Sequence, residues 1–243
     1  MTILKTWVLR VTRAIFFDWF HTLARFEPPR HRLYRQAFEE FGIKLSPEKV
    51  ERGILLADQC FFEENAKSPV SARSPEEQAK VYIHYPKVIL TEGGAEAPTE
   101  LLFKILKRVR EQFKGVAFSL FDDVLSTLKT LKQHNFTMGL ITNLDSDVTS
   151  ICRQLGLELY LDFVVTSKET GADKPEPPIF LAALDKAGVN ASEAVHVGDQ
   201  YKMDVLGARG VGIKPILVDR YDIYPEISDC PRIHHLTELA QYL

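Results

Sequence analysis

Short apolar runs that alternate with helix-like segments restrict this chain to few folds. The runs have the length and composition of buried strands, and they lie at 14–17, 137–141, 162–165, 194–198 and 215–218. Amphipathic segments that precede or separate the last four lie at 122–133, 146–155 and 177–187. Strands that alternate with helices form right-handed crossovers and a mainly parallel sheet. The sequence therefore predicts an α/β fold with a doubly wound parallel sheet.

The long segment between the first and second runs has a different character. It contains no convincing strand but four helix-like stretches, at about 31–41, 47–64, 75–90 and 98–113. Pro86 is expected to kink or end the third helix, because proline removes a helical hydrogen bond. Since a crossover needs only one helix, we predict a smaller, all-helical inserted domain. The predicted ranges are 12–24 plus 118–243 for the core and 25–117 for the insertion.

Polar side chains stand where the predicted strands end. Asp18 follows the first strand and Thr142 ends the second, while Lys174 lies in the loop before the last long helix. Asp199 and Asp204 follow the strand at 194–198. In an open α/β sheet, ligands bind beyond the carboxyl ends of the strands, so these five side chains are expected to converge. The set suits a hydrolase with an aspartate nucleophile and a metal ion.

Three converging carboxylates need a compensating positive charge. Two like charges about 4 Å apart repel by roughly 4 kcal/mol at an effective dielectric constant of 20. Lys174 and a divalent cation offset this repulsion and stabilise negative charge on a transferring group. Hard oxygen ligands favour Mg²⁺ over zinc or copper, so Mg²⁺ is the expected cofactor.

Four motifs in this order resemble those of the haloacid dehalogenase (HAD)-like hydrolase superfamily, whose members are largely phosphatases. They are FFDWFHTL at 16–23, GLITN at 139–143, GADKPEPPIF at 171–180 and VHVGDQYKMD at 195–204. The joint pattern is specific because Lys174 is followed 25 residues later by Asp199. The resemblance runs from about Ile15 to the end of the chain. It implies a Rossmann-like core and a helical cap domain.

The resemblance also implies a role for each site residue. Asp18 would attack the substrate and form a covalent aspartyl intermediate. Thr142 and Thr22 would hold the turn and a substrate oxygen, and Asn143 would orient the same oxygen or make a local turn. In related phosphatases the metal is bound by the nucleophile, by the carbonyl two residues later and by the first acid of the last motif. Here these ligands are Asp18, the carbonyl of Phe20 and Asp199, with Asp204 in support.

Phe20 departs from the phosphatase pattern. Related phosphatases carry an aspartate here, which serves as general acid and base, and loss of such a group costs about 10²–10⁴-fold in rate. His21 replaces a small residue, usually glycine. Its imidazole is either a substitute acid/base or a packing residue against the cap. The carbonyl of residue 20 survives any side-chain change, so metal binding is still expected.

Phe20 keeps other functions open. Haloacid dehalogenases carry tyrosine at this position and need no metal, but they replace the first acid of the last motif, which this chain retains as Asp199. A second alternative is a catalytically impaired member that binds a phosphorylated ligand or a protein. A phosphonate hydrolase with a Schiff-base lysine, Lys49 or Lys67, lacks supporting context.

The amino-acid composition limits the classes of binding partner that are expected. A net charge of −3, from 30 basic and 33 acidic residues, indicates neither a nucleic-acid nor a membrane partner. Three scattered cysteines do not form a zinc-binding pattern, and basic residues interrupt any signal-peptide core near the start. We therefore expect a cytoplasmic protein that acts on a small phosphorylated molecule. His196 is expected to be a packed core residue, and residues 1–11 either an edge strand or an extension.

Overall fold

The protein is described by a computed structural model that covers residues 12–144 and 147–243. Its main feature is a six-stranded sheet in the order β5-β4-β1-β6-β7-β8, in which every neighbouring pair is parallel. The strands are β1 (Ala14–Phe17), β4 (Thr137–Thr142), β5 (Phe163–Thr166), β6 (Ala194–Gly198), β7 (Lys214–Val218) and β8 (Arg232–Ile233). The doubly wound parallel sheet predicted from the sequence is confirmed.

Strand β1 occupies the centre of this sheet. All four of its residues are fully buried, and they pair with β4 on one side and β6 on the other. Later strands extend the sheet in both directions from β1, which creates the topological switch point where α/β proteins bind ligands. Phe16 belongs to a buried cluster that includes Ile141, Val165 and Phe180.

Helices connect the strands of the sheet. They are α5 (Val124–Gln133), α6 (Val148–Gln154), α7 (Ser167–Thr170), α8 (Pro177–Ala187) and α9 (Gly207–Gly210). A π-helical segment, Tyr201–Leu206, precedes α9, and a 3₁₀ segment, Leu236–Gln241, lies near the end of the chain. Helix α8 begins with prolines in its first turn and is followed by Gly188 in the left-handed conformation.

The chain divides into two compact units. The core unit contains the described residues up to Leu23, together with Phe121–Arg220 and Glu226–Leu243. The cap unit contains Ala24–Leu120 and Tyr221–Pro225. The range 25–117 predicted for the insertion lacks the second of these segments. The reason is physical: five residues from a distant part of the chain pack with the insertion, and no local pattern reveals that.

The cap unit is built on four helices and a small sheet. The helices are α1 (Arg30–Glu40), α2 (Pro47–Lys67), α3 (Pro75–Gly93) and α4 (Thr99–Gln112). Ser74 caps α3, accepting from the Glu77 N–H at 3.4 Å, while the Glu77 side chain accepts from the Ser74 N–H at 3.1 Å. This capping box fixes the start of α3.

Contrary to the prediction from the sequence, the insertion is not all-helical. Strands β2 (Ala24–Glu27) and β3 (Ala117–Leu120) form an antiparallel pair, although the sequence indicates no strand there. Pro86 does not end helix α3, which continues to Gly93 with Pro86 buried inside it, and the alternative outcome, a kink at Pro86, stays a prediction. The options for residues 1–11 lie outside the described residues. Across the described ranges, no helix combines the length and hydropathy needed to cross a lipid bilayer.

Candidate active site

Asp18 stands directly after the central strand. Its backbone N–H donates to the Val197 carbonyl at 2.8 Å, which extends the pairing of β1 with β6 by one residue. The residue is only 8% exposed. Burial raises the pKa of the Asp18 carboxyl and Asp204 adds to the rise, while Lys174 opposes it. The sheet therefore delivers a rigidly held and comparatively basic carboxylate to the strand ends.

Lys174 joins two of the predicted acids. Its Nζ donates to Oδ1 of Asp18 at 2.5 Å and to Oδ1 of Asp204 at 2.6 Å. The side chain is buried, which disfavours a charged ammonium, but the two carboxylates outweigh burial and raise the pKa of Lys174 above the ordinary lysine value. Lys174 is therefore a fixed cation between the two acids, as the sequence predicts.

Asn143 holds the main chain of Lys174. Its Oδ1 accepts from the Lys174 N–H at 2.8 Å, and its Nδ2 donates to the Lys174 carbonyl at 3.1 Å. Both ends of the amide are engaged in this contact, so the structure gives Asn143 a positioning role, and its predicted contact with substrate stays a prediction. Thr142 is buried beside it, with its hydroxyl accepting from the Leu144 N–H at 3.2 Å.

Asp204 has hydrogen-bond partners at both of its carboxylate oxygens. Its Oδ2 accepts from the Gln200 N–H at 3.0 Å, and its Oδ1 lies 2.9 Å from Nε2 of His196. Burial opposes ionisation, but Lys174 and His196 outweigh it and lower the pKa of Asp204 below the ordinary aspartate value. Gly198 makes room for this carboxylate, since a Cβ there would lie 2.1 Å from Cγ of Asp204.

His196 is buried in β6, as predicted, but it does more than pack. Its ring meets the Phe180 ring edge-on, with centroids 5.3 Å apart, and Nε2 contacts the Asp204 carboxylate. An ionised carboxylate only accepts hydrogen bonds, so Nε2 carries the hydrogen. The sequence did not indicate this polar contact, although the position of His196 on the strand that leads to Asp199 is a usable clue.

The residues present fit a hard divalent cation. Asp18, Asp199 and Asp204 each offer a carboxylate oxygen, and these three atoms lie within 4.8 Å of one another. Oxygen-only donor sets favour Mg²⁺ or Ca²⁺. Both oxygens of Asp204 are already hydrogen-bonded, which suits the supporting role predicted for it and leaves Asp18 and Asp199 as the stronger ligand candidates.

The turn after Asp18 carries the unusual residues of the first motif. His21 has a φ of 63°, in the left-handed region that favours glycine, which explains why a small residue is usual here. Its ring lies against the Phe20 ring, with centroids 4.1 Å apart. Thr22 is fully buried. The burial of Thr22 suits a role in holding the turn, and its predicted contact with substrate stays a prediction, as does the acid/base role of His21.

Known proteins resemble this chain in sequence and in fold. A sequence profile for haloacid dehalogenase-like hydrolases matches residues 12–212. The chain belongs to this family. This haloacid dehalogenase-like hydrolase is 31% identical over 231 residues to haloacid dehalogenase-like hydrolase domain-containing protein 3 of Danio rerio, covering 94% of each chain.

A second relative and one solved structure are also similar to this haloacid dehalogenase-like hydrolase. Ribulose-1,5-bisphosphate 5-phosphatase of Halopiger xanaduensis is 38% identical over 102 residues, which cover 42% of this chain and 43% of the relative. The HAD-hydrolase YfnB of Bacillus subtilis, solved bound to magnesium, superimposes with a TM-score of 0.63 at 22% identity, covering 95% of this chain and 98% of that one. At that identity the superposition shows the fold alone.

Proposed function

We propose that this hydrolase is a Mg²⁺-dependent phosphatase that acts on a small phosphorylated molecule. The observation that carries the proposal is the contact of Lys174 with Asp18 and Asp204 inside a cluster of three carboxylates. A magnesium ion bound there would neutralise charge on the phosphoryl oxygens. The phosphatase name of the Halopiger relative supports the same reaction class.

The reaction has two steps at Asp18. In the first, a carboxylate oxygen of Asp18 attacks phosphorus, the bond from phosphorus to the ester oxygen breaks, and the leaving alcohol takes up a proton. In the second, water attacks phosphorus of the aspartyl phosphate, which releases phosphate, frees the Asp18 carboxylate and yields a proton. Lys174 stays charged throughout and stabilises negative charge beside Asp18.

Phe20 changes how the protons move. Because its side chain has no titratable group, protons must come from His21 or from solvent. A reaction without a strong general acid depends steeply on how well the leaving group departs. We therefore expect measurable turnover of aryl phosphates, whose leaving groups are stable anions, and much slower turnover of alkyl phosphates.

A paired measurement tests the proposal. Calorimetric titration with MgCl₂ should show binding, and phosphate release from p-nitrophenyl phosphate and a panel of phosphorylated metabolites should require Mg²⁺ and stop with EDTA. Asp185→Asn, an exposed substitution on α8, is the matched control for substitutions in the site. Absence of either magnesium binding or turnover would reject the Mg²⁺-dependent phosphatase.

Two alternatives follow from Phe20. A catalytically impaired member would bind Mg²⁺ and phosphorylated ligands without turnover. A dehalogenase would release halide from 2-haloacids without metal, but Asp199 beside Asp18 speaks against it, because an added negative charge repels a carboxylate substrate. The Schiff-base alternative finds no support. Lys67 is exposed, and its hydrogen bond to Glu64 raises the pKa of the Lys67 ammonium group. A Schiff-base lysine needs a lowered pKa instead.

Two further expectations belong to the proposal. A reducing, cytoplasmic setting is supported by Cys60, Cys152 and Cys230, which are all free thiols. The cap unit is proposed to select the substrate, as the family resemblance implies.

A further inference from the structure

Arg220 is a buried arginine that no sequence motif singled out. It follows β7 by two residues, and its side chain is 6% exposed. Its Nη1 and Nη2 donate to the two carboxylate oxygens of Asp123 at 2.9 and 3.0 Å, in a bidentate pair. The guanidinium carbon lies 4.1 Å from the centroid of the Phe121 ring. Asp123 and Phe121 therefore fix the orientation of the guanidinium plane.

The same guanidinium also hydrogen-bonds to the backbone of the turn in the first motif. Its Nε donates to the His21 carbonyl at 3.2 Å, and its Nη2 donates to the Thr22 carbonyl at 2.9 Å. One rigid guanidinium group thus binds two consecutive carbonyls of one turn. A lysine does not reproduce this arrangement, because its flexible side chain ends in a single ammonium group.

The turn that Arg220 binds has an unusual backbone conformation. His21 has a φ of 63°, which a side chain with a Cβ rarely adopts. The peptide plane before His21 contains the Phe20 carbonyl, and rotation about φ of His21 tilts that plane. A group that holds the carbonyls of His21 and Thr22 therefore also sets the direction of the Phe20 carbonyl.

We propose that Arg220, locked by Asp123, is a positioning residue for the candidate metal site, an inference that rests on the proposed function. Arg220 does not contact the metal cluster itself. By fixing the turn, Arg220 would direct the Phe20 carbonyl, a metal ligand that the family resemblance implies, toward an ion shared with Asp18 and Asp199, although position 21 is not glycine. Outer-shell contacts of this kind typically change metal affinity by about 10- to 100-fold.

Magnesium affinity of the folded protein is the test. Arg220→Met keeps the length of the side chain and removes every donor, and we expect it to weaken Mg²⁺ binding in calorimetry by about tenfold or more. Arg220→Lys, which retains the charge but not the fork, should give a smaller loss. Arg209→Met is the matched control, since Arg209 is an exposed arginine of the core unit bound to Asp229. A purely structural arginine would lower the unfolding free energy and leave the affinity unchanged.

Each outcome decides the question. A folded Arg220→Met that binds Mg²⁺ within about twofold of the wild type overturns this inference and leaves the proposed function standing. If Arg220→Met does not fold, Arg220→Lys is decisive by the same twofold criterion. A wild type that binds no Mg²⁺ overturns the proposed function and this inference with it.

Discussion

The Nζ of Lys174 lies 2.5 Å from Oδ1 of Asp18, so the proposed nucleophile and a compensating positive charge are in direct contact. A charge-assisted hydrogen bond of this kind restrains rotation of the carboxylate as well as stabilising it. Because Lys174 also binds Asp204, the two acids share one cation. A substitution at any of the three is therefore expected to alter the ionisation of the other two.

Asp18→Asn is expected to abolish phosphatase activity and leave the fold intact. The amide retains the shape of the side chain but cannot form an aspartyl phosphate. Phosphate release should fall to background while the circular dichroism spectrum stays that of the wild type, and Asp185→Asn should leave both unchanged. Beryllofluoride should bind to Asp18 in the wild type only. Persistent turnover in Asp18→Asn would place the nucleophile elsewhere.

Asp199→Asn and Asp204→Asn are expected to affect magnesium differently. Asp199→Asn should abolish Mg²⁺ binding in calorimetry, because it removes a primary ligand candidate. Asp204→Asn should only weaken the binding, because both Asp204 oxygens are committed to hydrogen bonds. It should also lower the unfolding free energy, since Lys174 loses a buried counter-ion. Equal metal affinities of the two variants would contradict this division of roles.

Phe20→Asp is expected to raise the rate by restoring an acid/base group. If proton transfer limits the wild type, kcat should rise by roughly one to three orders of magnitude, most clearly with alkyl phosphates. Phe20→Asn is the control, because it is polar but does not transfer protons. Thermal unfolding should be measured alongside, since a carboxylate introduced into a packed region costs stability.

His21→Ala separates the two sources of protons. If His21 is the acid/base group, its loss should reduce kcat more than Phe20→Ala does. If neither substitution changes turnover and turnover stays at background across the substrate panel, the binding-protein alternative is favoured over the phosphatase.

Asp123 should give stability a defined pH dependence. Burial opposes its ionisation, but the hydrogen bonds from Arg220 and the Leu236 N–H outweigh it, so the pKa of Asp123 lies below its ordinary value. A carboxyl with a lowered folded pKa contributes stability above the unfolded value of about 3.9, and that stability is lost as the pH falls below it. Asp123→Asn should therefore destabilise the protein in urea titrations at pH 7 and 5, with the difference from wild type shrinking between pH 4 and 3. A constant difference across this range would contradict the assignment.

Five of the six strands in the core sheet were predictable because each is a short apolar run. Strand β8 was not, because its two residues are too few to form such a run. Asp18, Lys174, Asp199 and Asp204 were predictable as neighbours, because parallel strands bring their carboxyl ends to one edge of the sheet. The pairing of β2 with β3 was not, because two four-residue strands far apart in the chain leave no periodicity of their own. The contacts of Asn143 with the Lys174 main chain and of Arg220 with the His21 and Thr22 carbonyls were not predictable, because residue identity does not reveal hydrogen bonds to the backbone of distant segments.

Because Ala24 pairs with Leu120, the inserted helices form a segment that could be replaced as a unit. Residues opposite each other in an antiparallel pair have Cα atoms about 5 Å apart, so the two ends of the insertion are neighbours. Phe26 and Phe118 are likewise paired. A two-residue Asn-Gly turn joining them would close β2 and β3 into an ordinary hairpin. The segment between Phe26 and Phe118 could thus be deleted or replaced by another domain, and the strand order of the sheet that carries Asp18 would not change.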